Sequence, residues 1–131
     1  MTTLDIKTRN REEMIEITQQ IQDALTTSRI QEGTCVLFVP HTTAGVTINE
    51  HADPSVKADI LMSLKQIVPD SLPYSHAEGN SPAHVKASLI GISVVVLVKE
   101  GRLRLGTWQG IFFCEFDGPR NRKLVCEIKK G

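Results

Sequence analysis

The run Ile92 to Val98, I-S-V-V-V-L-V, constrains the fold more than any other stretch of the chain. It is apolar and β-branched almost throughout, follows Gly91 and ends at the charged turn Lys99-Glu100-Gly101-Arg102, so it reads as a central strand. A second run, Cys35 to Val39, is wholly apolar and predicts burial on both faces. Between and around these two runs the punctuation is clear. Thr3 to Arg9 alternates as a half-buried strand, Asn10-Arg11 turns it, and Glu13 to Ile17 reads as a short strand returning in a hairpin, though a helix starting near Glu12 fits Met14, Ile17, Ile21 and Leu25 almost as well. Thr18 is placed to cap a helix reaching Ser28, with Ile21, Ala24 and Leu25 inward. Val46 to Glu50 alternates again. Asp53-Pro54 signals a helix start, Val56, Ile60, Leu64 and Ile67 form its stripe, and Pro69 stops it.

Ser81-Pro82 repeats that signal, with Ser81 as the N-cap, Ala83, Ala87 and Ile90 inward, and Gly91 at the C-terminal end. Leu103 to Leu105 begins a strand that Gly106 interrupts and Trp108 to Phe116 continues. Asp117 to Asn121 is a turn, and Lys123 to Ile128 a last strand with Leu124, Cys126 and Ile128 on one face. Strands stand at both ends and helices in the middle, without a linker or repeat. Residues 1–131 therefore predict a single α+β domain, a mixed or largely antiparallel β-sheet with about three helices.

The charge balance narrows the partners. Fifteen basic residues meet fifteen acidic ones and aromatics make up 5%, so neither nucleic acid nor an anionic membrane is the expected partner. The opening M-T-T-L-D-I-K has no apolar signal core and no apolar run reaches membrane-spanning length, so the expected location is cytoplasmic. Cys35, Cys114 and Cys126 lie far apart in apolar segments, a pattern of buried free thiols rather than a disulfide framework or zinc spacing.

Functional side chains concentrate in Tyr74 to Lys86, Y-S-H-A-E-G-N-S-P-A-H-V-K. A helix opening at Ser81-Pro82 favours an anion at its N-terminus, and His76, Glu78 and Asn80 lie on the loop leading in. Two other polar stretches stand beside strong strands: His41-Thr42-Thr43-Ala44-Gly45, with Asn49-Glu50 beyond it, and Gly106-Thr107-Trp108-Gln109-Gly110. His41, His84 and Glu50 are the candidate catalytic groups. Asn80, Ser81, Lys86, Arg104, Trp108 and Gln109 are candidates for binding a small phosphorylated substrate. His41, His76 and His84 are expected in one cavity, where imidazoles can hold a divalent metal, Mg or Zn. A non-catalytic module binding a metal or a phosphorylated ligand uses the same residues and is the alternative to an enzyme.

Taken in order, H41-T-T-A-G-V-T-I-N-E50, D53-P54, H76-A-E-G-N-S-P-A-H84-V-K86-A-S-L and G101-R-L-R-L-G-T-W-Q-G110 resemble the YjbQ-like family, also called the secondary thiamine-phosphate synthase family. The resemblance runs from about Thr34 to Glu127, with His51 where an asparagine is expected. It implies a YjbQ-like α+β fold and a homotrimer. It also implies a thiamine-phosphate synthase side activity, a transferase reaction joining a hydroxymethylpyrimidine diphosphate to a thiazole phosphate with release of pyrophosphate, normally with magnesium.

Overall fold

The computed structural model describes residues 1–131. Strands β1 (Thr2–Lys7) and β2 (Glu13–Glu16) precede helix α1 (Thr18–Ser28). Strands β3 (Gly33–Phe38) and β4 (Ala44–Glu50) follow, then α2 (Pro54–Ile67) and α3 (Ser81–Ile90). The chain closes with β5 (Ser93–Lys99), β6 (Arg102–Leu103), β7 (Gln109–Glu115) and β8 (Asn121–Lys130). These form a five-stranded sheet in the order β1-β8-β3-β5-β6 and a three-stranded sheet in the order β2-β7-β4. Every strand pair is antiparallel. No helix is long and apolar enough to cross a membrane.

The main core lies between the two sheets and α1. Cys35, Leu37, Val96, Val98, Leu124 and Cys126 point inward from the larger sheet, and Ile111 and Phe113 meet them from β7. A second cluster on the other side of β7 packs Phe112, Cys114 and Phe116 against Leu64 of α2 and Ala83 and Ala87 of α3. β7 is thus the strand buried on both faces, because successive side chains serve two cores.

The run expected to be buried on both faces and the run expected to be a central strand are each covered on one face only. On β5, Val96 and Val98 are buried while Val95 and Leu97 are 60% and 63% exposed. On β3, Phe38 is 42% exposed. No helix of this chain lies over that face of the sheet, so apolar residues at alternate positions look outward. β2 forms as expected, but it pairs with β7 in the smaller sheet instead of returning on β1, so there is no β1–β2 hairpin. Gly106 does more than interrupt one strand. β6 and β7 belong to different sheets, and the turn before Gln109 is where the chain crosses between them.

The caps also differ in part. Asp53 accepts a hydrogen bond from the Ser55 N–H at 2.9 Å and Pro54 opens α2, as the sequence signals. Thr18 does not cap α1. Ile17 stands at the N-cap, and Thr18 Oγ1 instead accepts the Ile111 N–H at 2.8 Å, tying the helix start to β7. In α3 Asn80, not Ser81, is the N-cap residue, and no side chain caps the helix. Gly45 permits a close crossing: a Cβ there would stand 2.6 Å from the Gly91 carbonyl oxygen, where β4 passes the end of α3.

Candidate functional site

Three connections meet at one end of the sheets: the β3–β4 loop, the loop into α3, and the β7–β8 turn. They enclose a cavity of about 500 Å³ with no hydrophobic residue in its wall. The first connection supplies Pro40, His41, Thr42 and Thr43. The second supplies His76, Glu78, Asn80 and, one turn into α3, His84. The third supplies Asp117, Arg120 and Arg122. The volume suits a small metabolite, yet such sites are usually lined by apolar groups. A wall this polar offers hydrogen-bonding groups rather than apolar contacts.

Arg122 anchors the wall. Its side chain is 2% exposed and faces Glu115, whose side chain is fully buried. Nε donates to Glu115 Oε1 at 2.9 Å, and Nη2 donates to Glu115 Oε2 and to Thr43 Oγ1, the latter at 2.7 Å. Glu115 also accepts from Thr8 Oγ1 at 2.7 Å and from the Asp117 N–H at 3.0 Å. Burial pushes this carboxyl upward, but the bonds from Arg122, Thr8 and Asp117 outweigh burial and hold it below the usual carboxylate range. Of the three guanidinium nitrogens only Nη1 has no protein partner. It is not sealed from solvent, and Arg122 lines the cavity. A cavity-lining guanidinium thus keeps one nitrogen free of protein partners.

Asp117 and Arg120 complete that edge, Arg120 Nη2 lying 3.1 Å from Asp117 Oδ2. Asp117 also accepts from Asn80 Nδ2 at 3.0 Å, which fixes the amide orientation, since the reverse would set an oxygen against the carboxylate. Asn80 Oδ1 then becomes the one buried side-chain polar atom without a partner. It is an acceptor left for a water or a ligand hydroxyl.

The histidines occupy the rest. His41 Nε2 accepts the Lys123 backbone N–H at 2.8 Å, just past the end of the β3–β8 ladder. Burial and the nearby Arg122 charge lower its pKa, so His41 is neutral at pH 7. His76 and His84 stack edge to face, with ring centres 5.4 Å apart and planes at 83°. His76 Nε2 lies 3.8 Å from the Glu78 carboxylate. Nowhere do three His, Cys, Asp or Glu side chains gather so as to hold a metal ion. A divalent ion bound jointly by His41, His76 and His84 does not fit these positions.

His41, His76, His84 and Asn80 thus share one cavity, while the other residues singled out from the sequence lie elsewhere. Lys86 is 1% exposed, and its ammonium is held by both oxygens of Glu12 at 3.0 and 3.1 Å, pinning α3 to the β1–β2 connection. Ser81 opens α3 without lining the cavity. Glu50 accepts the Ala52 N–H at 2.9 Å and borders a separate depression beside His51. Gln109 accepts the Gly106 N–H at 2.8 Å and holds the turn between sheets, and Trp108 is 63% exposed there. Arg104 is exposed beyond β6, where its backbone N–H donates to the Leu97 carbonyl at 2.8 Å. Asp117 and Arg120 were read only as turn residues, and Arg122, between the turn and the last strand, was not singled out. The missed signal is alternation: Arg122 shares the parity of Leu124, Cys126 and Ile128, the core-facing positions of β8.

With this geometry in place, the comparisons with known proteins are direct. The family model of UPF0047 YjbQ-like proteins matches residues 2–131. The chain belongs to the YjbQ-like UPF0047 family. A UPF0047 protein of Methanocaldococcus jannaschii is 53% identical over 123 residues, covering 94% of this chain and 89% of its own. YugU of Bacillus subtilis is 51% identical over 130 residues, covering 98% and 97%. The crystal structure of a UPF0047 protein from Clostridium acetobutylicum superposes with a TM-score of 0.96 at 49% identity, covering 98% of this chain and all of the other. These neighbours share the α+β fold.

They also correct the activity implied by resemblance. The relatives are named only as UPF0047 proteins, and the Sulfolobus solfataricus structure, at 35% identity and a TM-score of 0.95, is described as a protein of unknown function. Nothing among them points to thiamine-phosphate synthesis. The cavity agrees with that correction. Lys86, expected from the sequence to bind the phosphorylated substrate, is sealed against Glu12 and does not line it.

Proposed function

We propose that the family's cavity binds a small hydrophilic molecule carrying one oxyanion and several hydroxyl or amino groups. The observation that carries this reading is Arg122, a buried and fully oriented guanidinium with Nη1 free toward a wall that contains no apolar side chain. Arg120 and Arg122 balance Glu78 and Asp117 among the lining residues, so net attraction does not select the ligand. Geometry does: Arg122 offers a cationic donor, and Asp117, Glu78 and Asn80 Oδ1 offer hydrogen-bond acceptors in the same wall.

The reading extends to chemistry. His84 makes no hydrogen bond to the protein through its ring and lines the same space, so it is placed to exchange a proton with the bound molecule. Supporting an assembled, cytoplasmic protein are the exposed apolar face of Phe38, Val95 and Leu97, which suits contact between copies in a homotrimer, and the three free cysteines.

Isothermal titration of untagged protein tests the ligand class. Inorganic phosphate, sulfate and small hydroxylated phosphate or carboxylate compounds should bind, and neutral polyols of the same size should not. No oxyanion binding at millimolar concentration, or equal binding of neutral polyols, rejects the reading.

A further inference from the structure

The Lys123 backbone decides what His41 can do. A peptide N–H can only donate, so Nε2, at 2.8 Å from it, must present a lone pair. In the neutral ring the single proton then sits on Nδ1. Lys123 belongs to β8, paired by its register with Asp5 of β1, so its N–H is fixed by the sheet. Adopting the other tautomer would set two N–H groups head to head. Nδ1 has no partner in the protein and is not sealed from solvent, and His41 lines the cavity.

We propose that His41 is locked as an Nδ1–H donor that hydrogen-bonds the oxyanion held by Arg122, and that it is neither a metal ligand nor a general base. This deepens the reading of the cavity as an oxyanion site and rests on it. A ligating or proton-accepting His41 needs a lone pair facing the cavity. That lone pair would have to be on Nδ1, and moving the proton to Nε2 forfeits the bond from Lys123. The lowered pKa set by burial and by the Arg122 charge keeps the ring from escaping through its doubly protonated form near neutrality. Two fixed donors of different kinds, a guanidinium edge and a neutral imidazole, then converge without needing a metal to orient the ligand.

Long-range proton–nitrogen correlation spectra of ¹⁵N-labelled protein at pH 7.5 read the tautomer directly, with His41 assigned by its loss in His41→Gln. The expected pattern is a protonated Nδ1 and an unprotonated Nε2, unchanged by equimolar zinc. A protonated Nε2, or zinc coordination at Nδ1, overturns the proposal. Side-chain mimicry provides the second arm, with inorganic phosphate as probe. An asparagine amide places its N–H₂ near the Nδ1 position, whereas glutamine places it near Nε2. His41→Asn should retain phosphate affinity within about threefold, while His41→Gln and His41→Ala should lose about tenfold or more, the size of one bond to a charged group. Equal loss in Asn and Gln overturns the donor role. A wild-type protein with the expected tautomer that binds no phosphate overturns it through the cavity reading instead, so the two failures are distinguishable.

Discussion

Glu115→Gln should be among the most damaging single-atom changes available in this chain. The carboxylate is fully buried and accepts from Arg122, Thr8 and the Asp117 N–H. Glutamine keeps the shape and one acceptor, but it removes the charge and points an amide N–H₂ at donors. Arg122 is then left as an uncompensated buried cation. Breaking a buried pair by one partner costs about 3–5 kcal/mol, and the retained acceptor places this change near 3 kcal/mol. At about 4 °C per kcal/mol for a chain of this size, the midpoint should fall by about 12 °C. Urea titration and thermal melts at pH 7 measure it. The double variant Glu115→Leu with Arg122→Met should be less destabilised than Glu115→Gln, since no charge remains stranded. A loss below about 1 kcal/mol in Glu115→Gln, the scale of an exposed pair, refutes the claim that this network anchors the cavity wall.

Other outcomes follow from the same contacts. Acid should expose the Glu115 network: with its folded pKa below the unfolded value of about 4.3, its contribution is complete above that pH and lost as pH falls through the folded value. His41 has the opposite group chemistry but the same sign of slope. Its folded pKa lies below the unfolded value of about 6.5, so stability falls as pH drops from there, and His41→Gln should flatten that part of a stability–pH profile. Gly45→Ala should cost about 1–3 kcal/mol in urea titration, because its Cβ meets the Gly91 carbonyl oxygen at 2.6 Å. Lys86→Met should lower stability yet leave phosphate binding by the folded protein unchanged, because Lys86 contacts Glu12 and not the cavity. Sedimentation equilibrium at micromolar concentration should show an assembly above the 14.5 kDa monomer, and Leu97→Lys on the exposed face should weaken it.

The elements themselves were largely legible, because local signals fix them. Asp53-Pro54 opens α2, Gly91 closes α3, and β1, β5 and β8 lie near where alternation and apolar runs put them. What local signals cannot supply is the partner of each strand. β2 alternates equally well as the return arm of a hairpin or as a companion of β7, and only the second core decides. For the same reason the doubly buried strand was sought in Cys35 to Val39, although Ile111 to Phe116, apolar but for Glu115, has helices on one side and a sheet on the other.

The candidate site divides along the same line. His41, His76, Asn80 and His84 could be picked out because polar groups crowd into short loops beside rigid elements. Lys86 looked like part of that group, but its spacing with Ala83, Ala87 and Ile90 already placed it on the inward face of α3. Arg122 and Glu115 were concealed inside strands, where only the parity of alternation marks them as inward and therefore in need of each other. A charged residue at core parity is a stronger pointer to a built site than a polar loop, because burial without a partner is too costly to persist.

Anomalous diffraction from crystals of the untagged protein soaked in tungstate tests the central claim most directly. The oxyanion is a heavy-atom analogue of phosphate and reports its own position. The account predicts a peak inside the cavity with oxygens in hydrogen-bond contact with Arg122 Nη1 and His41 Nδ1. A cavity left empty while tungstate binds elsewhere on the surface, or an oxyanion held away from both donors, would contradict it.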